Sequence, residues 1–362
     1  MTLSPARIAA FDVLRRVEAG GFASDLLLDH AASLDSRDAG LASEIVFGAL
    51  RYRAQLDYLI SLHASRAKLD GEVRDALRMG IYQLRYLERV PAHAAVADSV
   101  SLVKRAHKSS AAGFVNAVLR RVNREPVAWP SREIELSCPE WLLARWQAHY
   151  GAEAAEGIAR AALREPEKFV REGASGARIQ DIGAQAIVPL LGLQPGQRFL
   201  DLCAAPGNKT AQALEAGVRA VACDRRLDRL AHLKSLGCPL VALDGSQPLP
   251  FSARFDRILL DAPCSGTGTL GRNPEIKWRL RPEDLTDLAR RQGALLARAR
   301  AALAPGGILV YSTCSLEPEE NQAVVSTVPD ELASDALLRL PGRDAGDGFY
   351  AAVIKSELPA NG

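Results

Sequence analysis

The sequence predicts a protein of two domains, an all-α helical bundle followed by an α/β domain with a mostly parallel sheet. The chain has 362 residues, 48% of them hydrophobic, which is enough for two cores. Residues 1–125 show helical periodicity throughout, whereas from Arg178 short β-rich runs alternate with helical segments. We therefore place the domains at 1–126 and 177–362, joined by a linker with connecting helices over 127–176.

The first helix is predicted to begin at Ser4 and Pro5, because serine is a favoured N-cap and proline suits the first helical turn. An apolar stripe follows at helical spacing, formed by Ile8, Phe11, Leu14 and Val17. Four later segments repeat this pattern: LASEIVFGALRYRAQLDYLISLHA, GEVRDALRMGIYQLRYLE, AHAAVADSVSLVKRAH and AAGFVNAVLRRVNR. The three prolines of EPVAWPSREIELSCPEW indicate a linker, and EWLLARWQAHYGAEAAEGIARAAL predicts one or two connecting helices.

Five β-rich runs are predicted to form the sheet: QRFLDLCA, VRAVACD, PLVALD, FDRILLDAP and GGILVYSTC. Ligands of such sheets bind at the carboxyl ends of the strands, where Asp201, Asp224 and Asp244 follow the first three runs. Asp224 is placed to accept hydrogen bonds from ribose hydroxyls and Asp244 to meet an adenine amino group. The loop LCAAPGNKT leads into a helix near Lys209 whose first amides can receive a carboxylate. This pattern favours S-adenosylmethionine as the cofactor.

Three motifs, LDLCAAPGNKT, DAPCSGTGTLGRNPEIKW and YSTCSLEPEEN, resemble those of the RNA cytosine-5 methyltransferases of the RsmB/NSUN group, which includes the Sun/Fmu proteins. RIQDIGAQ and GDGFYAA are also similar to that group, and the helical domain resembles the NusB-like RNA-binding domain of RsmB. The resemblance covers nearly the whole chain. It implies a Rossmann-like, class I SAM-dependent methyltransferase domain that methylates C5 of a specific cytosine in RNA, with 16S ribosomal RNA as the expected substrate.

The resemblance also assigns the catalytic residues. Cytosine C5 becomes nucleophilic only after a thiolate has added to C6, and the group places this thiol at Cys314. Cys264 would assist elimination and product release, although DNA cytosine methyltransferases attack with the Pro-Cys thiol, so the exchanged roles stay open. Asp261 is expected to hold cytosine N3 and N4, and Lys209 to reach the base, with a surface lysine as the alternative. The expected cofactor-binding residues are Asp201, Cys203, Ala204, Ala205, Pro206, Gly207, Asn208, Lys209, Asp224, Arg229, Asp244, Gly245 and Asp261.

The sequence argues against two further enzyme classes, one by the position of a glycine motif and the other by the residues that follow the fourth β-rich run. Gly266, Gly268 and Gly271 match the dinucleotide motif G-x-G-x-x-G, but they follow the fourth β-rich run, whereas a nucleotide-dependent dehydrogenase needs it after the first. RNPEIKW is not expected to open a helix, and the glycines are expected to allow close approach of the backbone to a flipped base. An enzyme acting on a base nitrogen would carry Pro-Pro-Tyr where this chain has Ala-Pro-Cys.

Composition limits the partners. The net charge is +2, which by itself indicates no nucleic-acid partner. No apolar run reaches the roughly 18 residues that a membrane helix needs, so we expect a cytoplasmic protein without a membrane partner. We also expect a monomer. Six cysteines without a C-x-x-C pair predict free thiols and no metal. A basic cluster is either an RNA-facing patch or a solvated helix face, and it comprises Lys104, Arg105, Lys108, Arg120, Arg121 and Arg124.

The chain departs from the RsmB pattern in two places. Asn208 stands where glycine is common, and we expect a residue that tolerates the left-handed conformation to suit that position. Only REPEKFVREGASGA stands where RsmB-like enzymes carry a small RNA-binding subdomain of several dozen residues. This shortening leaves target choice and RNA affinity open, and it keeps one alternative open: a non-catalytic RNA-binding or ribosome-assembly factor with a degenerate methyltransferase domain.

Overall fold

The chain folds into two compact units, and each unit is formed by two separate segments of the sequence. A computed structural model describes residues 3–64, 69–122, 124–173 and 176–356. The first unit comprises Met1–Glu165 and Leu270–Arg279, and the second comprises Pro166–Thr269 and Leu280–Gly362. The connecting helices therefore fold with the first unit. Within the described ranges, no helix has the length and apolarity needed to cross a membrane.

The first unit is all-α, as predicted. Its helices are α1 (Pro5–Glu18), α2 (Ala23–Ala31), α3 (Ser36–Arg51), α4 (Arg53–Ser61), α5 (Gly71–Tyr86), α6 (Ala92–Arg105), α7 (Ala112–Arg121), α8 (Arg132–Glu135), α9 (Glu140–Tyr150) and α10 (Ala152–Ala161). Ser4 is the N-cap of α1, although its side chain accepts no hydrogen bond from the helix. Phe11, Leu14 and Val17 of the predicted stripe are buried. The short α8 was not predicted; it is capped by Ser131, whose hydroxyl accepts from Ile134 N.

The contact between α3 and α5 depends on one glycine. A Cβ atom at Gly48 would lie 1.9 Å from the Tyr82 ring, which is therefore in direct contact with the α3 backbone. The ring cannot move away easily, because it stacks on Tyr86 and its hydroxyl donates to Glu44. The absence of a side chain at position 48 thus sets how closely α3 and α5 pack.

The second unit contains the predicted sheet. The strands of the chain are β1 (Val170–Arg171), β2 (Arg178–Ile179), β3 (Arg198–Asp201), β4 (Arg219–Asp224), β5 (Leu240–Ala242), β6 (Phe255–Asp261), β7 (Leu303–Thr313), β8 (Ala333–Arg339) and β9 (Phe349–Lys355). The order β5-β4-β3-β6-β7-β9-β8 gives a seven-stranded sheet, in which β3 to β7 are parallel and β9 is antiparallel to both neighbours. All five predicted runs are strands. A separate antiparallel pair is formed by β1, within the shortened segment, and β2, just after it.

The remaining helices are α11 (Ile182–Gln185), α12 (Asn208–Leu214), α13 (Leu227–Leu230), α14 (Ile276–Arg279), α15 (Pro282–Ala301) and α16 (Gln322–Val325). Alternate residues of the central strands enter different cores. Phe199, Leu259 and Val310 belong to one apolar cluster, whereas Leu200 and Leu260 belong to another, as the period-two geometry of a strand requires. The central strands are therefore buried on both faces, and polar residues lie at their carboxyl ends.

The expectation that RNPEIKW opens no helix was wrong, because α14 forms within it. Ile276 N donates to Asn273 O, so the chain turns into a single helical turn after Pro274. The segment is held inside the first unit by hydrogen bonds to main-chain carbonyls: Lys277 Nζ donates to Arg51 O at 2.9 Å and Trp278 Nε1 to Leu50 O at 2.8 Å. Arg51 in turn donates to Gly271 O.

The contact at Gly48 predicts opposite effects for two glycine-to-alanine substitutions in α3. Gly48→Ala should destabilise the protein by about 1–3 kcal/mol, because the new methyl group overlaps the Tyr82 ring. Gly40→Ala on the same helix should stabilise it by about 0.5–1 kcal/mol, because nothing lies within 4 Å and alanine is the better helix former. Urea unfolding followed by circular dichroism measures both. Equal effects at the two positions would contradict this account of the packing.

Candidate active site

Two cysteines meet at the carboxyl edge of the sheet. β6 and β7 are adjacent and parallel, with Asp261 paired to Ser312, so the residues that follow each strand emerge side by side. Cys264 follows β6 and Cys314 follows β7, and their Sγ atoms are 3.5 Å apart. The thiols that the sequence placed at two strand ends thus form one pair. Both cysteines are partly exposed and free.

A buried glutamate joins the two cysteine loops. Glu320 is fully buried, and its carboxylate accepts hydrogen bonds from Ser265 N at 2.8 Å, from the hydroxyls of Ser265 and Ser315, and from Gln292 Nε2 at 2.9 Å. Gln292 Nε2 also donates to Pro263 O at 2.9 Å. Burial raises the pKa of Glu320, and the four donors oppose that rise. Glu320 lies in the motif YSTCSLEPEEN, but its role was not predicted from the sequence.

One of the glycines after Cys264 packs against the protein's own backbone. Gly268 N donates to Cys314 O and Gly268 O accepts from Gly348 N, both at 2.8 Å. A Cβ atom at position 268 would lie 2.4 Å from Gly348 O and 2.8 Å from Cys314 O. At Gly268 three segments of backbone therefore meet, which a side chain would prevent, and the expected approach of the glycines to a flipped base stays a prediction.

Lys209 and Asp261 form an ion pair in the same region. Lys209 Nζ lies 2.6 Å from Asp261 Oδ2, and Ser312 Oγ donates to Asp261 Oδ1 at 2.8 Å. The lysine side chain is only 14% exposed, which excludes the surface-lysine alternative. Burial by itself would lower the pKa of Lys209, but the Asp261 carboxylate outweighs it and the net shift is upward. The ammonium group therefore stays charged.

Asp201 ends β3 in a buried position. Its Oδ2 accepts from Thr210 Oγ1 at 2.7 Å, whereas its Oδ1 is buried and has no hydrogen-bond partner. Burial raises the pKa of Asp201 to about 7. Because β3 and β6 flank the point where the strand order reverses, Asp201 lies where ligands of this fold class usually bind. An unpaired buried carboxylate oxygen is also costly, so it is a strong candidate acceptor for a ligand cation.

The other two predicted acids shape loops. Asp224 accepts from Arg226 N at 2.9 Å and from Ala205 N at 3.3 Å, so it binds the loop after β3. Asp244 accepts from the amide and hydroxyl of Ser246, and these hydrogen bonds lower its pKa. Both acids follow predicted strands at the same edge of the sheet. Each carboxylate keeps lone pairs that could accept from a ligand.

The loop after β3 corrects one expectation. The left-handed residue is Gly207, with φ 103°, and Asn208 is the first residue of α12, so its tolerance of that conformation is not used. The remaining predicted cofactor residues lie in this loop or after β4 and β5, and they are Cys203, Ala204, Ala205, Pro206, Arg229 and Gly245. Arg229 is exposed on α13.

The cysteines outside the pair are less suited to chemistry. Cys138 and Cys223 are fully buried, and burial raises the pKa of Cys223 to about 12. Cys203 and Cys238 are partly buried, and burial raises the pKa of each. Within the part of the chain that the structure describes, no group of three His, Cys, Asp or Glu residues could hold a metal ion.

The basic cluster of the helical unit is partly neutralised. Arg105 pairs with Asp12 and Lys108 with Asp70, each at 2.8 Å. Arg124 donates to two main-chain carbonyls of the first unit. These contacts leave fewer cations available to an RNA backbone than the sequence suggested.

Comparisons with known proteins agree on the family. The family described as 16S rRNA methyltransferase RsmB/F matches residues 188–355, and the NusB family matches residues 4–124. A protein of Citrobacter koseri named ribosomal RNA small subunit methyltransferase B is 34% identical over 422 aligned residues, covering 96% of this chain and 98% of the relative. A protein of the same name from Yersinia pseudotuberculosis is 32% identical, with coverage of 96% and 98%.

The crystal structure of PH0851 shares the fold, with a TM-score of 0.78 and 18% identity over 98% of this chain and 100% of that one. The alignment with the Citrobacter relative has 422 positions, more than the 362 residues of this chain, so the relative carries residues that are missing here. Because that relative is 34% identical and aligns with 96% of the chain, the chain belongs to the RsmB/F family of 16S rRNA methyltransferases.

Proposed function

We propose that the protein transfers a methyl group from S-adenosylmethionine to C5 of a cytosine in RNA, with 16S ribosomal RNA as the substrate. The observation that carries this proposal is the pair of thiols 3.5 Å apart at the ends of two adjacent strands. A single nucleophile needs one thiol, whereas addition to C6 followed by elimination gives a use for two. The names of the curated relatives support ribosomal RNA as the substrate class.

In the proposed reaction Cys314 is the nucleophile. Its Sγ forms a bond to C6, and C5 then takes the methyl group as the sulfonium–carbon bond breaks. A base removes the proton from C5, the C5–C6 double bond re-forms, and the Sγ–C6 bond breaks to release Cys314 as the thiolate. A free thiol is only about 3% ionised at pH 7, so most of the rate must come from holding the thiol, the base and the methyl group in the reacting geometry.

Asp261 and Lys209 act on the base. The Asp261 carboxylate is held by Lys209 and Ser312 on different oxygens, so its orientation is fixed before substrate arrives. A carboxylate in that position can accept from cytosine N4 and share a proton with N3 as the thiolate adds to the ring. The ion pair thus makes the ring more electrophilic.

The cofactor supplies an electrophilic methyl group when bound. Asp201, Asp224 and Asp244 would hold it, since Asp201 and Asp224 end β3 and β4 and Asp244 follows β5 at the same edge of the sheet. The unpartnered Asp201 Oδ1 fits an amino-acid ammonium group, which would satisfy this buried oxygen. The carboxylates of Asp224 and Asp244 fit the hydroxyl and amino donors of a nucleoside.

Access to C6 requires an unpaired or flipped cytosine, because the ring face is covered inside a duplex. Structured RNA offers such bases in loops. The NusB-like domain favours RNA over DNA as the partner. The protein is expected to act as a monomer in the cytoplasm.

Substitution of the two cysteines should separate their roles. Cys264→Ala, incubated with ribosomal RNA and S-adenosylmethionine, should accumulate a protein–RNA adduct that survives denaturant, because addition proceeds while elimination fails. Cys314→Ala should form no adduct and lose methyl transfer by at least about a thousandfold, since a covalent route is removed. Denaturing gels with labelled RNA and nucleoside analysis for 5-methylcytidine provide the measurements.

Cys238→Ala is the matched control, because Cys238 is a partly buried thiol of the same unit outside the site. It should behave like the wild type. An adduct in Cys314→Ala and none in Cys264→Ala would exchange the two roles. Methylation of a base nitrogen would refute the mechanism, and RNA binding without any methyl transfer by the wild type would favour a non-catalytic RNA-binding factor.

Cofactor binding should depend on pH through Asp201. Below its pKa of about 7 the carboxyl group is protonated and loses its attraction for the cofactor ammonium group, so affinity should fall about tenfold per pH unit. Asp201→Asn should bind about tenfold more weakly at pH 8 and lose this pH dependence. Calorimetric titration with S-adenosylhomocysteine between pH 6 and pH 8.5 tests both statements.

Asp256→Asn is the control, because Asp256 pairs with Arg198 near the start of β6, away from the carboxyl edge of the sheet. It should leave affinity and its pH dependence unchanged. If wild type and Asp201→Asn bind equally well at every pH, Asp201 does not contact the cofactor.

A further inference from the structure

The two thiols of the site are in contact, yet the proposed reaction gives them different tasks. Both follow parallel strands, and both are partly exposed. What distinguishes them is how each loop is bound to the Glu320 carboxylate. Glu320 is connected to the residues on both sides of Cys264, whereas in the other loop it binds only Ser315, the residue after Cys314.

We infer that Glu320 is a positioning residue that fixes Cys264 beside Cys314 and places a negative charge near it, so that Cys314 is the thiol that reacts first. This inference rests on the proposed function for its meaning in catalysis. The claim that one buried carboxylate decides which thiol reacts first depends only on the geometry of the second unit.

Glu320 is connected by hydrogen bonds to the residues before and after Cys264. The following residue, Ser265, donates to the carboxylate through its amide and its hydroxyl. The preceding residue, Pro263, is tied to the same carboxylate through Gln292, whose Nε2 donates to Pro263 O and to Glu320 Oε1, each at 2.9 Å. Cys264 therefore lies between two residues that Glu320 holds in place.

The same carboxylate reaches the other loop. Ser315, the residue after Cys314, donates to Glu320 Oε2, and the Ser265 and Ser315 hydroxyls lie 3.0 Å apart. Both cysteine loops thus share one acceptor. Moving Glu320 would alter the position of Cys264 relative to Cys314.

The Glu320 carboxylate also places a negative charge near Cys264. The hydrogen bond between the two thiols and the burial of Cys264 raise the pKa of the Cys264 thiol, and the nearby Glu320 carboxylate raises it further. The other titratable groups around this cluster are Tyr311, whose burial raises its pKa and whose hydroxyl donates to Glu320 O, and the pair of Lys209 and Asp261.

Removing the charge while keeping the shape tests the inference. Glu320→Gln should lower the pH midpoint for alkylation of Cys264 by about one unit or more, because a like charge beside the forming thiolate is lost. At a fixed pH below the midpoint this corresponds to about a tenfold faster reaction. The midpoint of Cys314 should change by much less.

The measurement uses the full chain, iodoacetamide between pH 6.5 and pH 10, and mass spectrometry of tryptic peptides. Cys264 and Cys314 fall on different peptides, since Arg272 and Arg300 lie between them. Glu331→Gln, at an exposed residue of the same unit, is the control and should change neither midpoint. Urea unfolding of each variant reports stability separately.

Glu320→Asp separates charge from geometry. It keeps the carboxylate but shortens its reach, so the Cys264 midpoint should stay close to that of the wild type even if stability falls. Unchanged midpoints in Glu320→Gln, or equal shifts of both thiols, would show that the residue has only a structural role and would overturn the inference.

The wild type provides a second test that does not depend on the folding of any variant. Cys314 should be alkylated before Cys264 at pH 8, and faster reaction of Cys264 would contradict the inference. Neither alkylation assay requires RNA or methyl donor. A protein with ordered thiols and no methyl transfer would therefore refute the proposed function alone, whereas methyl transfer with unordered thiols would refute this inference alone.

Discussion

The register of β6 and β7 pairs Asp261 with Ser312, and this pairing brings together groups that are about fifty residues apart in sequence. Parallel strands emerge at the same edge, so each loop after a strand adds one thiol to a common site. Ser312 in turn holds the carboxylate of Asp261, which ends the neighbouring strand. A shift of register by one residue would invert the faces of β7 and separate all of these groups.

Three carboxylates of the second unit differ in how many hydrogen bonds and charges compensate for their burial. Asp201, Asp261 and Glu320 lie within one region, and each is stabilised differently: Asp201 by a single hydroxyl, Asp261 by an ammonium group and Glu320 by neutral donors. The least compensated carboxylate, Asp201, has its pKa raised to about 7. Differences in compensation, rather than in residue type, therefore separate an acid suited to binding a cation from one suited to holding loops together.

Much of this arrangement could be predicted from the sequence, because strand ends are local features. The runs ending at Asp201, Asp224 and Asp261 are strands, and the two cysteines follow strands as expected. The role of Glu320 could not be predicted, since it depends on partners such as Ser265 and Gln292 from other elements. Likewise Gly268 meets backbone that is distant in sequence. The local pattern of RNPEIKW gave no sign that this segment folds with the helical unit.

That discontinuity affects how the gene could be divided. The residues Leu270–Arg279 complete the helical unit, although they are encoded within the part of the chain that forms the sheet. A fragment ending at Glu165 would lose the donors Lys277 and Trp278 to the carbonyls of Arg51 and Leu50. The two units are therefore not interchangeable modules joined at one point. Separating them would require cutting the chain at three points, after Glu165, Thr269 and Arg279.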